Sequence, residues 1–145
     1  MMEVSVVRQR VLDVLKQAKR TEADRRADRR AQSDQASREF ETFLQRVAVP
    51  IFKQVADVLR SESFPCDVFT PGGSVRLMSG KGNDDYVEVV LDSKGAAPKL
   101  LGRASHSRAG NVTQTELVLN ATADISALTD DDLLGYLLSE LDALL

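Results

Sequence analysis

The sequence predicts an α+β protein: a long N-terminal helical segment, a four-stranded antiparallel meander, and a C-terminal helix packed on the sheet. Three observations carry this reading. Apolar residues recur at helical spacing through the first sixty positions, the period changes to two after Pro65, and a capped, leucine-rich helix follows Thr129. The 145 residues, 43% apolar and 28% charged, suit one soluble domain with a real core.

In the first segment Val4, Val7, Val11, Val14 and Ala18 are spaced 3, 4, 3, 4, a heptad-like seam widened by Leu12 and Leu15. A second seam runs Phe40, Leu44, Val47, Ile51, Val55 and Val58. The polar tract between them repeats Ala-Asp-Arg-Arg at 23–26 and 27–30. Ala and Arg are good helix formers, and Glu22/Arg26 and Asp34/Arg38 are spaced to pair across one turn. A continuous helix over 3–49 is about 70 Å long, more than a domain of this size covers. Either it breaks near Thr21 or Ser33–Ser37 into a hairpin, or it projects and pairs with a second chain. Thr21 with Asp24 resembles a capping box and favours a break. The absence of Gly and Pro between 3 and 49 favours continuity, and the long helix is the reading adopted. The two seams are one residue out of step, so one strict coiled coil does not run through the whole segment.

Pro50 lies inside the second seam and predicts a kink or a re-started helix ending near Arg60–Ser63, because Pro65 forbids continuation. Residues 1–63 thus form the helical segment, with 1–39 as a dimerisation arm. Residues 64–145 complete one core with 40–63. Cys66–Phe69 can form a short strand before the Pro71-Gly72-Gly73 turn. Val75–Ser79, Tyr86–Leu91, Leu100–Arg108 and Val112–Leu119 alternate apolar and polar residues. Their connections are a Gly80–Asn83 turn, an Asp92–Pro98 loop and an Ala109-Gly110-Asn111 hairpin turn, which together give a meander.

Thr129 is the expected N-cap of the last helix and Asp132 completes a capping box, with Leu128 and Leu133 as a hydrophobic staple. Asp130, Asp131 and Asp132 sit at the positive end of the helix dipole. Leu134, Leu137, Leu138, Leu141, Leu144 and Leu145 form the apolar face, and Gly135 suggests a close backbone approach.

Charge narrows the function classes. The chain carries net −3, against a generally basic nucleic-acid binder. Residues 1–46 hold 11 Lys+Arg and 8 Asp+Glu, net +3, while residues 110–145 hold 0 and 7, net −7. A basic front and an acidic tail can attract each other within or between chains. No signal peptide and no apolar run of roughly 18 residues is visible, so a cytoplasmic protein without a membrane span is expected. One cysteine and one histidine exclude a disulfide and a Cys- or His-based metal cluster within one chain, and no cofactor is implied.

Candidate chemistry is sparse. The stretch from Gly73 to Gly82 departs from a phosphate loop in its spacing and its hairpin setting. His106 stands between Ser105 and Ser107, but strand neighbours point to opposite faces, so it reads as a surface or half-buried histidine. Cys66 reads as a small core residue. Asp84-Asp85 read as turn residues and Asp130–Asp132 as capping residues rather than a cation site. Arg76, Arg103 and Arg108, with Lys81 and Lys99, place positive charge on the sheet or its loops. Arg76, Arg103 and Arg108 are the candidate anion contacts. Tyr86 is the single aromatic in these strands available for base stacking, so nucleic acid is not the expected partner.

From about Phe40 onward the chain resembles a family of small bacterial proteins with no assigned activity. The resemblance rests on the Phe43–Pro50 segment, the strand entry Gly73-Ser74-Val75-Arg76-Leu77, and Leu128–Leu138. It implies a proline-containing helix, an antiparallel sheet, an acidic-capped final helix and a bacterial cytoplasmic setting; it supplies no catalytic residue. The expected function is a non-enzymatic interaction module that forms a homodimer through its N-terminal helices, with Val4, Val7, Val11 and Val14 as the contact stripe. An unidentified protein partner also fits this class. The alternative is a binding domain for a small anion or nucleic acid that uses sheet arginines or Arg25–Arg30.

Overall fold

The computed structural model describes residues 1–80, 85–94, 98–120 and 125–145. Helix α1 spans Val4–Phe43, passes through a π-helical turn at Leu44–Ala48, and continues as α2, Val49–Ser61. Strands β1 (Cys66–Phe69), β2 (Val75–Ser79), β3 (Tyr86–Asp92), β4 (Lys99–Arg108) and β5 (Asn111–Val118) follow, and α3 covers Asp130–Leu144.

Helix α1 does not break at Thr21. The Thr21 hydroxyl donates to the Gln17 carbonyl at 3.0 Å inside one continuous helix instead of capping a new one. Glu22 pairs with Arg26 at 3.3 Å and reaches Arg29 at 3.6 Å. Arg38 donates to Gln35 at 2.9 Å rather than to Asp34. At Pro50 the chain stays helical because the preceding turn widens: the Val49 N–H bonds the Leu44 carbonyl, five residues back. This lets proline, which has no N–H to offer, enter at the start of α2. Helix α2 ends in a Schellman motif. Phe64 N–H bonds the Leu59 carbonyl and Ser63 N–H the Arg60 carbonyl, with Ser63 in the left-handed region at φ 69°.

The sheet has five strands, not four, all antiparallel in the order β1-β2-β3-β4-β5. The fifth is the short Cys66–Phe69 segment, which pairs with Arg76–Ser79 as an edge strand. An edge tolerates Pro65 at its start, where no ladder donor is needed. The β4–β5 connection is a two-residue turn at Ala109-Gly110, both at positive φ, and Asn111 already pairs with Arg108. The expected turn residues Lys81, Gly82, Asn83 and Asp84, and Gly95–Ala97 of the expected loop, lie outside the described residues.

One sheet face is the core. Val75, Leu77, Val87, Val89 and Leu100 are fully covered by Ala48, Phe52 and Ala56 of the first helical segment and by Leu133 and Leu137 of α3. Helix α2 lies on β1 and β2, and α3 lies on β3 and β4. Ala36, Phe40 and Phe43 bring the end of α1 into the same core. Strand β5 is exposed along its whole length, beyond the reach of the helices.

In α3 the cap is as the sequence indicates. Thr129 Oγ1 accepts from the Asp132 N–H at 3.2 Å, and the Asp132 carboxylate accepts from the Thr129 N–H at 3.0 Å. That backbone hydrogen bond holds the Asp132 carboxyl below its ordinary pKa. A depressed folded-state pKa makes this contribution present at neutral pH and lost as pH falls through it. Thr129→Ala is expected to lower stability by about 1 kcal/mol, read in a urea melt at pH 7.

The apolar face of α3 is wider than the sheet can cover. Leu133, Tyr136, Leu137 and Leu144 are buried, whereas Leu138 is 56% exposed and Leu145 47%. Gly135 makes no close approach: a Cβ there meets nothing within 4 Å. Gly135→Ala is therefore expected to stabilise the protein by about 1 kcal/mol, raising the urea midpoint. The close approach is at Gly102 of β4, where the Tyr136 ring occupies the space a Cβ needs.

Candidate functional site: the helical arm and the α2–α3 groove

Ahead of Ala36, α1 has no core to pack against. Every residue from Met1 to Gln32 except half-buried Thr21 is exposed. The sequence-predicted stripe lies here: Val4 is 84% exposed and Val14 68%, with Val7 and Val11 near half. Leu12 and Leu15 widen the exposed strip. Helix residues three and four apart are surface neighbours. Arg8 therefore flanks Val4 and Val11 on one side of the stripe, and Arg10 flanks Val7 and Val14 on the other.

A second unpartnered apolar surface lies between α2 and α3. Ile51, Val55, Val58 and Leu59 of α2 face Leu134, Leu138 and Leu141 of α3 across an open groove of about 300 Å³, with Gln54 at its edge. Val58 is 62% exposed. The groove exists because α3 carries leucines on two adjacent sides. One side meets the sheet and the other is left facing α2. Exposed Asp131 and Asp142 stand beside it, three and four residues from Leu134 and Leu138. Sequence reasoning assigned these leucines to the core and missed the groove; their excess over one helix face was the signal.

Of the candidate anion contacts, the structure brings Arg76 and Arg103 together and leaves Arg108 apart. Arg76 and Arg103 lie on the sheet face opposite α2 and α3 and line one cavity of about 690 Å³ with Glu88 and with Phe40 and Leu44 from the end of the first helical segment, and Arg108, at the other parity of β4, does not share it. The register places Arg76, Glu88, Arg103 and Glu116 in one row across β2–β5. Arg76 donates to Glu88 at 2.9 Å and lies over the Tyr86 ring at 4.2 Å. Arg103 donates to Glu116 at 3.2 Å. Each guanidinium thus faces a carboxylate on the next strand. Lys99 pairs in register with Asp92, and Lys81 lies outside the described residues.

His106 is buried, not superficial, at 8% exposure, because α3 lies over it. Its Nε2 meets Glu140 at 3.1 Å, and the pair ties α3 to β4. Its Nδ1 has no hydrogen-bond partner among the described residues. Ser105 and Ser107 occupy the opposite face, and the Ser107 N–H donates to buried Asp85 at 2.7 Å. Cys66 is a buried free thiol whose Sγ donates to the Ala56 carbonyl at 3.6 Å. Burial pushes its pKa up, against the opposing charge of Arg60, so the reactive thiolate is disfavoured.

No protein-family model, curated protein or solved structure matches the chain. Fold and surfaces define an α+β protein with helices on one face of an antiparallel sheet and a projecting helical arm. Among the described residues no helix is long and apolar enough to cross a membrane.

Proposed function

We propose that the protein is a non-enzymatic interaction module of the cytoplasm that forms a homodimer through its N-terminal arm. One observation carries the reading: the arm is a helix of about 48 Å whose apolar stripe, Val4, Val7, Val11 and Val14, faces solvent. Most helical stability in proteins comes from packing an amphipathic face, and a contiguous exposed apolar strip marks an interaction site. The 3-4 spacing suits coiled-coil-like packing against another helix. The ion-paired sheet arginines leave the alternative of anion or nucleic-acid binding with less support.

Light scattering over a concentration series tests the reading. Wild type is expected at twice the chain mass of 15.9 kDa, and Val7→Asp with Val11→Asp at the chain mass. A wild-type protein that stays at the chain mass up to high micromolar concentration overturns it.

A further inference from the structure

Resting on the reading above, we propose that the groove between α2 and α3 is the seat for the arm stripe of a second copy of this chain. The two apolar surfaces share a helical repeat. Ile51 to Val58 and Leu134 to Leu141 each span seven residues, about 10 Å, and the stripe from Val4 to Val14 spans ten, about 15 Å, enough to run the length of the groove. A single helix laid between α2 and α3 thus buries three stripes at once, the helix-in-groove mode of recognition. Narrow valines suit a groove already walled by leucine and isoleucine.

Charge selects the same occupant. Residues 4–20 carry Arg8, Arg10, Lys16, Lys19 and Arg20 against Asp13, net +4. Helix α3 carries Asp130, Asp131, Asp132, Glu140 and Asp142 with no basic residue, net −5. With the stripe in the groove, one of its two basic flanks, that of Arg8 or that of Arg10, meets the side of α3 that bears Asp131 and Asp142. Opposite potentials of this kind fix orientation and speed encounter. Two arms paired antiparallel along their own stripes instead bring Arg8 and Arg10 of each copy against the same charges of the other.

The occupant is a second copy, not the chain's own arm. Val11 lies 25 residues before Ala36, where α1 first enters its own core, about 38 Å along a helix without a break. A reciprocal exchange, each arm in the other copy's groove, closes as a two-fold dimer.

The test uses full-length variants in light scattering. Val7→Asp/Val11→Asp spoils the arm, and Val58→Asp/Leu138→Asp spoils the groove at exposed positions. Each alone is expected to run at the chain mass, and an equimolar mixture, which restores one good arm facing one good groove, at twice it. If the groove variant remains dimeric, the groove proposal fails while self-association through the arm stands. If wild type is monomeric, both fall. A second measurement is independent of folding losses. Mixed Val11→Cys and Leu138→Cys proteins are oxidised, with native Cys66 buried. A disulfide between the two different variants is expected, and predominant coupling of Val11→Cys to itself overturns the proposal in favour of arm-to-arm pairing.

Discussion

Leu137→Ala is expected to cost roughly 2–5 kcal/mol, the range for a fully buried leucine. Leu137 is completely covered, within a core that includes Phe52, Val87 and Val89. The loss combines the transfer free energy of the deleted methyls with the cavity left where neighbours cannot collapse. Against a total stability on the order of 5–15 kcal/mol, it removes a large fraction. Leu138→Ala, one residue along, is expected to stay within about 0.5 kcal/mol, since its side chain is largely in water. Leu141, half-buried beside the groove, falls between them. The comparison is made by urea melts in the Val7→Asp/Val11→Asp background at one protein concentration, so that association does not enter the midpoints. Equal effects at 137 and 138 would contradict the assignment of the core-facing side of α3.

What could be read from the sequence was whatever is decided locally. The continuity of α1 follows from a run without Gly or Pro. The α3 cap follows from Thr129 and Asp132 three residues apart, because a capping box closes within one turn. The α+β order follows from a change of apolar period at Pro65. Pro50 was legible as a disturbance, but not the π turn that accommodates it. In that turn Leu44 and Ala48 are buried in the core. Cys66–Phe69 was legible as a short strand with its observed bounds, but four residues carry too little alternation to place it in the sheet; pairing with β2 makes it the fifth strand.

The candidate site divides in the same way. The arm stripe was legible because its spacing is periodic and no core was available for it. The groove was not, since the sequence shows leucines around much of α3 without saying which side meets the sheet. The row Arg76, Glu88, Arg103, Glu116 has sequence gaps of 12, 15 and 13 residues. Only the strand registers, which depend on loop lengths, turn four scattered charges into neighbours. His106 and Glu140 are 34 residues apart, and their contact exists only once α3 lies on β4.

Gly135 and Gly102 look alike in sequence, and the structure assigns them opposite roles, which leads to the second large expected effect. Gly102→Val should destabilise by about 3 kcal/mol, the upper part of the range for overpacking a core. Two terms compete. A glycine inside a strand costs roughly 0.5–1 kcal/mol relative to alanine, so backbone entropy and strand propensity favour the substitution. Sterics oppose it. Gly102 pairs in register with Val89 and Leu117, and the Tyr136 ring lies directly on it, where even a Cβ overlaps several ring atoms. Tyr136 is itself buried, so α3 must lift from β4 to make room. Burial, together with the charges of Glu140 and Glu88, holds the Tyr136 phenol above the ordinary tyrosine pKa. Lifting α3 should return that phenol toward about 10, visible in an ultraviolet titration of the two tyrosines. Adding Tyr136→Ala to Gly102→Val should cost less than the sum of the single changes, because the clash is already gone. Full additivity, or a Gly102→Val protein as stable as wild type, would mean that Tyr136 does not rest on β4.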